Sequence, residues 1–298
     1  MARTPPAEVD VDEELVRRLL ADQHPDLADL PLTRTAAGWD NVMWRLGDAL
    51  AVRLPRRQVG ATLTENEQRW LPEIFDRVSA ATSVLLPAPL RYGRPTAYYP
   101  WHWSVVVWIQ GRSAATVAPP ARRRIAEPLA ALLPALHVPA PADAPDNPFR
   151  SRPLATRDEV VRDRIGALDL PAAPALLELW SDLVRTAPWS APAVWIHGDL
   201  HPHNLILDGT RQLTGIIDFG DMTAGDPATD LATAWMTFER SARRTFREHL
   251  EGHYDDATWR RGRAWALSMA TAMVTMSDDD PVIAAVGRHT LEQVLEGD

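Results

Sequence analysis

The spacing of hydrophobic and polar positions changes along the chain and divides it into two parts. In the first 110 residues, short runs of β-branched and aromatic residues are typical of strands, and two segments repeat apolar residues at helical spacing. The predicted elements are a helix over 12–20, strands over 42–46 and 50–54, a helix over 64–75, and strands over 89–92 and 103–109. This part is predicted to be a small sheet carrying one helix.

After Gln110-Gly111, which interrupts the last strand, apolar residues recur mainly at helical spacing. We place the boundary there, between an N-terminal lobe over 1–110 and a C-terminal lobe over 111–298. Short strands are predicted between 194 and 218, a loop over 138–153, and helices over 122–137, 157–168, 174–185, 227–237, 242–252, 256–276 and 281–295. The order of elements indicates an α+β protein with unequal lobes.

Local signals refine three of these elements. The Gly-Asp pair at 47–48 suits a hairpin turn between two strands. Thr64 stands three residues before Glu67, a capping-box spacing, so the second helix is predicted to begin at Thr64. Pro128 and Pro134 are expected to kink the helix that contains them.

Composition narrows the class of protein. With 46% apolar and 24% charged residues, the 298-residue chain is an ordinary globular protein. A net charge of −9 argues against a nucleic-acid partner. No run approaches the about 18 apolar residues of a membrane span, and residues 1–14 lack a signal-peptide pattern. We therefore expect a cytoplasmic protein without a membrane partner.

Two residue types are missing, and each absence excludes a chemistry. Without cysteine there is no disulfide, thiolate metal site or thiol nucleophile. Without lysine there is no Schiff-base chemistry and no Walker-type phosphate loop, which needs a lysine. Any nucleotide phosphates would have to be held by arginine, metal and backbone.

Asp199, Asn204 and Asp218 form the strongest candidate for chemistry. The first two lie five positions apart on a predicted loop, and Asp218 ends the next apolar run. Phosphoryl transfer needs one carboxylate to orient or deprotonate the attacking hydroxyl, and an amide oxygen and a carboxylate to hold Mg²⁺. A lone aspartate on a loop is more often a turn or cap residue, but the set of three favours a small-molecule kinase.

Three motifs have the order and spacing of a known family. They are His-Gly-Asp-x-x-x-x-Asn at 197–204, Ile-Asp-Phe-Gly at 217–220 and Gly-Asp-Pro-x-x-Asp-Leu-Ala at 225–232. The chain resembles the aminoglycoside phosphotransferases, whose relatives include macrolide phosphotransferases and kinases of choline-like metabolites. The resemblance implies a bilobal protein-kinase-like fold, with a small N-terminal antiparallel sheet plus helix and a larger, mainly helical C-terminal lobe.

The resemblance also implies roles for individual residues. Asp199 would be the catalytic base or would orient the acceptor hydroxyl, while Asn204 and Asp218 would ligate Mg²⁺ beside ATP or GTP. The residues expected to brace the catalytic loop or cap a helix are His197, Asp226 and Asp230.

The family's strand lysine, normally paired with a helix glutamate, is replaced here by Arg53, and the helix offers Glu67. A guanidinium group binds phosphate and carboxylate bidentately, so Arg53 is expected to hold the nucleotide phosphates. Arg56 or Arg57 could share this role, and an ordinary charge at the strand edge is the alternative for Arg53.

Three further residues are candidates for nucleotide contacts. Gly38 lies in the stretch 35–41, where the loop between the first strands would cover the phosphates, although a plain turn is equally consistent. The linker residues Ile109 and Gln110 would present backbone groups to the purine edge.

The acceptor is the least defined part of the function. Residues 221–298 hold fourteen acidic residues and eight arginines, an excess that suits a cationic aminoglycoside but also an ordinary solvated surface. Trp235 and Trp265 could line an apolar cleft for a macrolide or nucleoside antibiotic, or could belong to the core. The acidic candidates are Glu239, Asp255, Asp256 and Asp278–Asp280.

We therefore expect Mg²⁺-dependent transfer of a nucleotide γ-phosphate to a hydroxyl of a polyhydroxylated small molecule, most consistent with an antibiotic. A kinase of a choline-like or sugar metabolite is the alternative. A kinase-like binding protein that has lost turnover through the Lys-to-Arg change is a second alternative. The third is a metal-dependent hydrolase, whose ligands would come from His197, Asp199, His201, His203, Asp208, Asp218 and Asp221.

Overall fold

The computed structural model describes residues 5–38, 40–277 and 280–297. Its first part is a five-stranded sheet in the order β1-β2-β3-β5-β4, in which all neighbouring strands are antiparallel. The elements are α1 (Glu13–Gln23), β1 (Leu32–Ala37), β2 (Asn41–Leu46), β3 (Leu50–Pro55), α2 (Gln58–Ala81), β4 (Pro89–Gly93) and β5 (Trp103–Val107). The predicted hairpin turn at 47–48 joins β2 to β3.

One apolar cluster holds this sheet together. Helix α1 contributes Val16, Leu19 and Leu20, which are buried in the same cluster as Leu46 and Val52 of the central strands. Asp12 caps the helix, because its side chain accepts a hydrogen bond from the backbone N–H of Leu15 at 2.8 Å. The amphipathic helix predicted near the N-terminus is confirmed, and it adds a second helix to the sheet.

Helix α2 begins six residues earlier than predicted, so the capping role assigned to Thr64 is wrong. Thr64 is buried within the helix. The carboxylate of Glu8 accepts a hydrogen bond from the Gln58 N–H at 3.0 Å and so satisfies one backbone donor in the true first turn. A cap supplied from 50 positions away leaves no mark in the local spacing. Glu67 therefore lies well inside the helix, where its side chain points to β3.

The second part is mainly helical, with two small sheets. Its strands are β6 (Arg112–Ser113), β7 (Val194–Ile196), β8 (Leu205–Leu207), β9 (Leu213–Ile216) and β10 (Thr223–Gly225). Strand β7 pairs with β10, and β8 pairs with both β6 and β9. Its helices are α3 (Ala126–Leu136), α4 (Asp158–Ala167), α5 (Ala173–Leu183), α6 (Ala228–Leu231), α7 (Thr233–Thr237), α8 (Arg240–Glu248), α9 (Asp256–Met276) and α10 (Pro281–Glu296).

Two predicted helices differ from the structure. The segment 122–137 begins as a 3₁₀ helix over Pro119–Ile125 and becomes α-helical only at Ala126. Pro128 then falls in the first turn of α3, where no N–H partner is required, so it is not the interior proline that was predicted. The segment 227–237 is two short helices that meet at Ala232.

The two lobes are joined by backbone hydrogen bonds as well as by the linker after β5. The Leu85 N–H donates to the Thr214 carbonyl, and the Ile216 N–H donates to the Leu85 carbonyl, both at 2.9 Å. Gly215 makes this approach sterically feasible, because a Cβ there would lie 2.7 Å from Ile109. Helix and sheet content agree with the predicted α+β class. None of the helices in the described ranges combines the length and apolar character needed to cross a membrane.

Candidate active site

The segment 197–204 is a loop between β7 and β8, and a buried carboxylate fixes its backbone. Asp230, which is fully buried in α6, accepts hydrogen bonds from the N–H groups of His197 at 2.7 Å and Gly198 at 2.9 Å. Gly198 has φ +85°, and a Cβ there would lie 2.6 Å from the Asp221 carbonyl oxygen. The bracing role expected of Asp230 is what these contacts show.

His197 connects this loop to the segment that carries Asp218. Its Nε2 lies 3.0 Å from the Ile217 carbonyl, and its Nδ1 accepts from the Asp199 N–H at 3.2 Å. Together the two contacts place the proton on Nε2. The ring also packs against Phe219, with centroids 4.5 Å apart. His197 therefore braces the loop, as expected.

Asp199 is held by two basic side chains. Its Oδ1 accepts from Arg150 Nη2 at 2.7 Å, and its Oδ2 lies 3.1 Å from His201 Nε2. Burial opposes ionisation of this carboxyl, but His201 and Arg150 outweigh burial and lower its pKa well below the usual range. With its side chain 25% exposed, Asp199 is an ionised carboxylate that a small molecule can still reach.

Asn204 and Asp218 have oxygen atoms suited to a magnesium ion. Asn204 donates Nδ2 to the Asp199 carbonyl at 2.9 Å, and within the described ranges nothing donates to its Oδ1. Asp218 adopts a left-handed backbone conformation, φ +65°, and its side chain is 59% exposed with one contact to Arg53 at 3.5 Å. Amide and carboxylate oxygens are the hard ligands that Mg²⁺ prefers, so the residues present fit this ion.

The candidate metal ligands of the hydrolase alternative include His201 and Asp208, and both form hydrogen bonds within the protein. His201 Nδ1 accepts from the His203 N–H at 3.2 Å, while its Nε2 faces Asp199. Asp208 closes the turn before β9 by accepting from the N–H groups of Thr210 and Gln212. In the part of the chain that the structure describes, no group of three or more His, Asp or Glu side chains has a metal-binding arrangement.

Arg53 and Glu67 form a buried ion pair between β3 and α2. Arg53 Nη1 donates to both carboxylate oxygens of Glu67, and its Nη2 lies 3.5 Å from Asp218. Burial opposes the charge on Arg53, but Glu67 and Asp218 outweigh it and raise the pKa of the guanidinium. A permanent positive charge is thus held next to the proposed metal ligand.

The turn between β1 and β2 is anchored by the other two candidate arginines. Arg57 pairs with the Asp40 carboxylate at 2.8 Å, and the Arg56 N–H donates to the Asp40 carbonyl at 2.8 Å. Arg56 also donates Nη1 to the Gly38 carbonyl at 3.3 Å. Both arginines are therefore occupied by the turn that contains Gly38. Trp39, in the same stretch, lies outside the described residues.

The two linker residues differ in their free backbone groups. The Gln110 carbonyl accepts from the Thr214 hydroxyl at 3.2 Å. The N–H and C=O of Ile109 form no hydrogen bond with any residue in the described ranges. The Gln110 N–H likewise forms no hydrogen bond in these ranges, so both linker residues have backbone groups available for a purine edge.

Sequence reasoning gave no role to Arg150. It lies in the loop predicted over 138–153, yet its Nε donates to Asp221 at 3.0 Å while its Nη2 reaches Asp199. These partners are 71 and 49 positions away, so no local spacing reveals the contact. Asp221 had been considered only as a hydrolase ligand.

Most of the described residues predicted to bind the acceptor are buried in the core or cap helices. Trp235 and Trp265 are 1% and 2% exposed in the core of the C-terminal lobe and have no surface for an acceptor. Asp255 and Asp280 cap α9 and α10 through backbone N–H groups. Glu239 is half-buried next to α8. The remaining acidic candidates are Asp256, in the first turn of α9, and Asp278 and Asp279, which lie outside the described residues.

Replacing Asp230 by asparagine is expected to lower the free energy of unfolding by about 1–3 kcal/mol at neutral pH, because one buried N–H loses its acceptor. Burial opposes ionisation of Asp230, but the hydrogen bonds from His137, at 3.1 Å, and from His197 lower its pKa. A carboxyl with a lowered folded-state pKa stabilises the protein above the ordinary value of about 3.9 and loses this effect as the pH falls further.

The difference in unfolding free energy between wild type and Asp230→Asn should therefore be constant near neutrality and shrink below about pH 4. Chemical unfolding of both proteins across this range measures it. A difference that stays the same at low pH would show that Asp230 is not held ionised in the folded state.

The chain is similar to known proteins over most of its length. The model of the phosphotransferase enzyme family matches residues 31–265. An aminoglycoside 3′-phosphotransferase of Streptomyces fradiae is 33% identical over 143 residues, which cover 46% of this chain and 53% of that protein. The matched region thus spans about half the length of this relative.

Two solved structures share the fold. One is the GDP and kanamycin complex of an aminoglycoside 2″-phosphotransferase, with 18% identity, a TM-score of 0.66, and coverage of 94% of this chain and 97% of that one. The other is a macrolide 2′-phosphotransferase type I, with 18% identity, a TM-score of 0.59, and coverage of 96% and 99%. The bilobal protein-kinase-like architecture is therefore confirmed. Because the family model matches most of its length, this chain belongs to the phosphotransferase enzyme family.

Proposed function

We propose that the protein transfers the γ-phosphate of ATP or GTP to a hydroxyl group of a small polyhydroxylated molecule of the antibiotic type. One observation carries the proposal. The ionised Asp199 carboxylate lies next to Asn204, whose Nδ2 donates a hydrogen bond to the Asp199 backbone carbonyl. The Oδ1 of Asn204 accepts no hydrogen bond from the described residues and is available to a metal ion. This is the arrangement that phosphoryl transfer requires of an acceptor-orienting carboxylate and a neighbouring metal ligand.

The nucleotide would lie between the lobes, in a site made by residues of both. Arg53 would hold phosphate oxygens while Glu67 fixes the guanidinium, and the backbone of Ile109 would meet the base. Asn204 Oδ1 and the Asp218 carboxylate would hold Mg²⁺, which supplies charge neutralisation at the phosphates. We propose 1–110 as the nucleotide-binding lobe and 111–298 as the lobe that binds the acceptor.

Asp199 would act mainly by orientation. Because His201 and Arg150 lower its pKa, it is a weak base and accepts the hydroxyl proton only late in the transfer. A loose phosphoryl-transfer transition state is stabilised mostly by positioning of the reactants and by neutralisation of charge, so a weak base is sufficient. His201 and Arg150 hold the carboxylate, and Asp230 and His197 hold its backbone.

The class of acceptor is supported by the relatives. The Streptomyces fradiae protein and the kanamycin complex concern aminoglycosides, and the second structure is a macrolide phosphotransferase. The alternative acceptor, a choline-like or sugar metabolite, would be phosphorylated by the same type of reaction. Among the sequence-predicted acceptor residues, Glu239 is partly exposed and Asp256 is exposed, and neither makes a cap hydrogen bond of the kind that Asp255 and Asp280 make. We place the reaction in the cytoplasm and propose neither a nucleic-acid nor a membrane partner.

A panel assay tests this function. Purified protein is incubated with ATP or GTP and Mg²⁺, and nucleoside diphosphate release is followed with aminoglycosides, macrolides, nucleoside antibiotics, choline and simple sugars. We expect one antibiotic class to stimulate release, and we expect the stimulation to vanish when Mg²⁺ is chelated. Mass spectrometry should show one added phosphate on the acceptor. Nucleotide binding without acceptor-dependent release by any compound would favour the non-catalytic binding protein instead.

A further inference from the structure

The loop that carries Arg150 is locked against the active site by several hydrogen bonds. Thr223 of β10 donates its hydroxyl to the Pro145 carbonyl at 2.6 Å, and Asn147 Nδ2 donates to Asp221 at 2.9 Å. The Oδ1 of Asn147 accepts from the N–H groups of Phe149 and Arg150 at 2.8 and 3.1 Å. Asn147 thus closes a local turn and fixes the backbone from which the Arg150 side chain extends.

The guanidinium of Arg150 bridges the two loops that form the reaction centre. It donates Nη2 to Asp199 and Nε to Asp221, at 2.7 and 3.0 Å. With the side chain 21% exposed, these charge-assisted bonds are only partly screened by water. A planar fork can satisfy two carboxylates at once, whereas the single charge of a lysine could face only one of them.

We propose that Arg150 is a positioning residue for phosphoryl transfer, and this rests on the function proposed above. It holds the Asp199 carboxylate in the orientation that an acceptor hydroxyl meets. His201 contacts Oδ2 of Asp199 while Arg150 contacts Oδ1, so the two contacts together fix the rotation of the Asp199 side chain. Loss of one contact frees that rotation.

Arg150→Met is the variant that tests the proposal, since it keeps much of the side-chain volume and removes the charge. We expect kcat to fall by about 10- to 100-fold with the KM for nucleotide changed little, because a small misplacement of a reacting group costs up to about 10²-fold. The kcat of Arg150→Lys should lie between that of the wild type and that of Arg150→Met. Methylguanidinium should restore part of the kcat of Arg150→Ala.

Arg152→Met is the matched control. Arg152 lies in the same segment but pairs with Asp146, at 2.9 Å, and has no contact with Asp199 among the described residues. It is expected to change kcat by less than about 2-fold, as an exposed ion pair contributes little. Melting temperatures of all variants separate loss of folding from loss of turnover.

The outcomes distinguish the proposal from the function on which it rests. Reduced kcat in Arg150→Met, with rescue of Arg150→Ala by methylguanidinium, supports the positioning role. Unchanged kcat in Arg150→Met overturns it, and so does a loss that tracks the melting temperature and is not rescued. If Asp199→Asn is inactive in either of these cases, the proposed function still stands. If Asp199→Asn also retains full turnover, Asp199 has no part in the mechanism. The proposed function itself fails if no acceptor stimulates nucleotide turnover by the wild type.

Discussion

Replacing Asp199 by asparagine is expected to lower kcat by on the order of 10²–10⁴, the contribution of a positioned acid or base. Asparagine is nearly isosteric, so the loop should keep its shape through the Asp230 and His197 contacts to its backbone. What is lost is the negative charge that orients the hydroxyl and receives its proton. The KM for nucleotide should change little, because in the proposed function Asp199 contacts the acceptor rather than the phosphates.

Steady-state kinetics with the acceptor found in the panel measure this effect, and calorimetry with the Mg²⁺-nucleotide checks binding. Asp208→Asn is the control, because Asp208 only closes the turn between β8 and β9. It should leave kcat close to that of the wild type. Near-normal turnover in Asp199→Asn would remove this residue from the mechanism.

Removing Glu67 alone, as Glu67→Met, is expected to lower the free energy of unfolding by about 3–5 kcal/mol, because Arg53 keeps its charge in a buried site and loses its closest partner. The Asp218 carboxylate that remains is 3.5 Å away and 59% exposed, so it compensates this charge poorly. Replacing both residues by methionine should be much less damaging, since no uncompensated charge stays behind. Both the single and the double variant should bind nucleotide weakly, because Arg53 is either misplaced or missing.

Urea unfolding of the wild type, Glu67→Met, Arg53→Met and the double variant gives the coupling free energy of the Arg53–Glu67 pair. Glu13→Gln is the control, because the Glu13–Arg17 pair at 2.8 Å on α1 is exposed and should contribute about 0.5 kcal/mol or less. Additive effects at Arg53 and Glu67 would contradict a coupled buried pair. A double variant with normal nucleotide affinity would show that another group holds the phosphates.

The parts of the site that depend on short spacing were predictable from the sequence. Asp199 and Asn204 lie five positions apart in one loop, and the structure joins them by a hydrogen bond. Arg53 and Glu67 were linked by the order of strand and helix, and the ion pair between them is present. In each case the chemistry is encoded in residue types and intervals that a reader can see along the chain.

What could not be predicted depends on contacts between distant segments. The Glu8 cap of α2 and the Arg150 bridge each join residues about 50 positions apart, and nothing near either residue marks the partner. Helical spacing likewise could not tell whether Trp235 faces a cleft or the core, since both environments favour a large apolar side chain. Only packing decided that it is buried.

The buried guanidinium at the proposed nucleotide site has a practical consequence for chemical labelling. Nucleotide-mimicking reagents that acylate an amine beside the triphosphate would find no side-chain target here, since the chain has no lysine and Arg53 stays protonated. Profiling of cell extracts with such reagents would pass over this protein even when its nucleotide site is fully active.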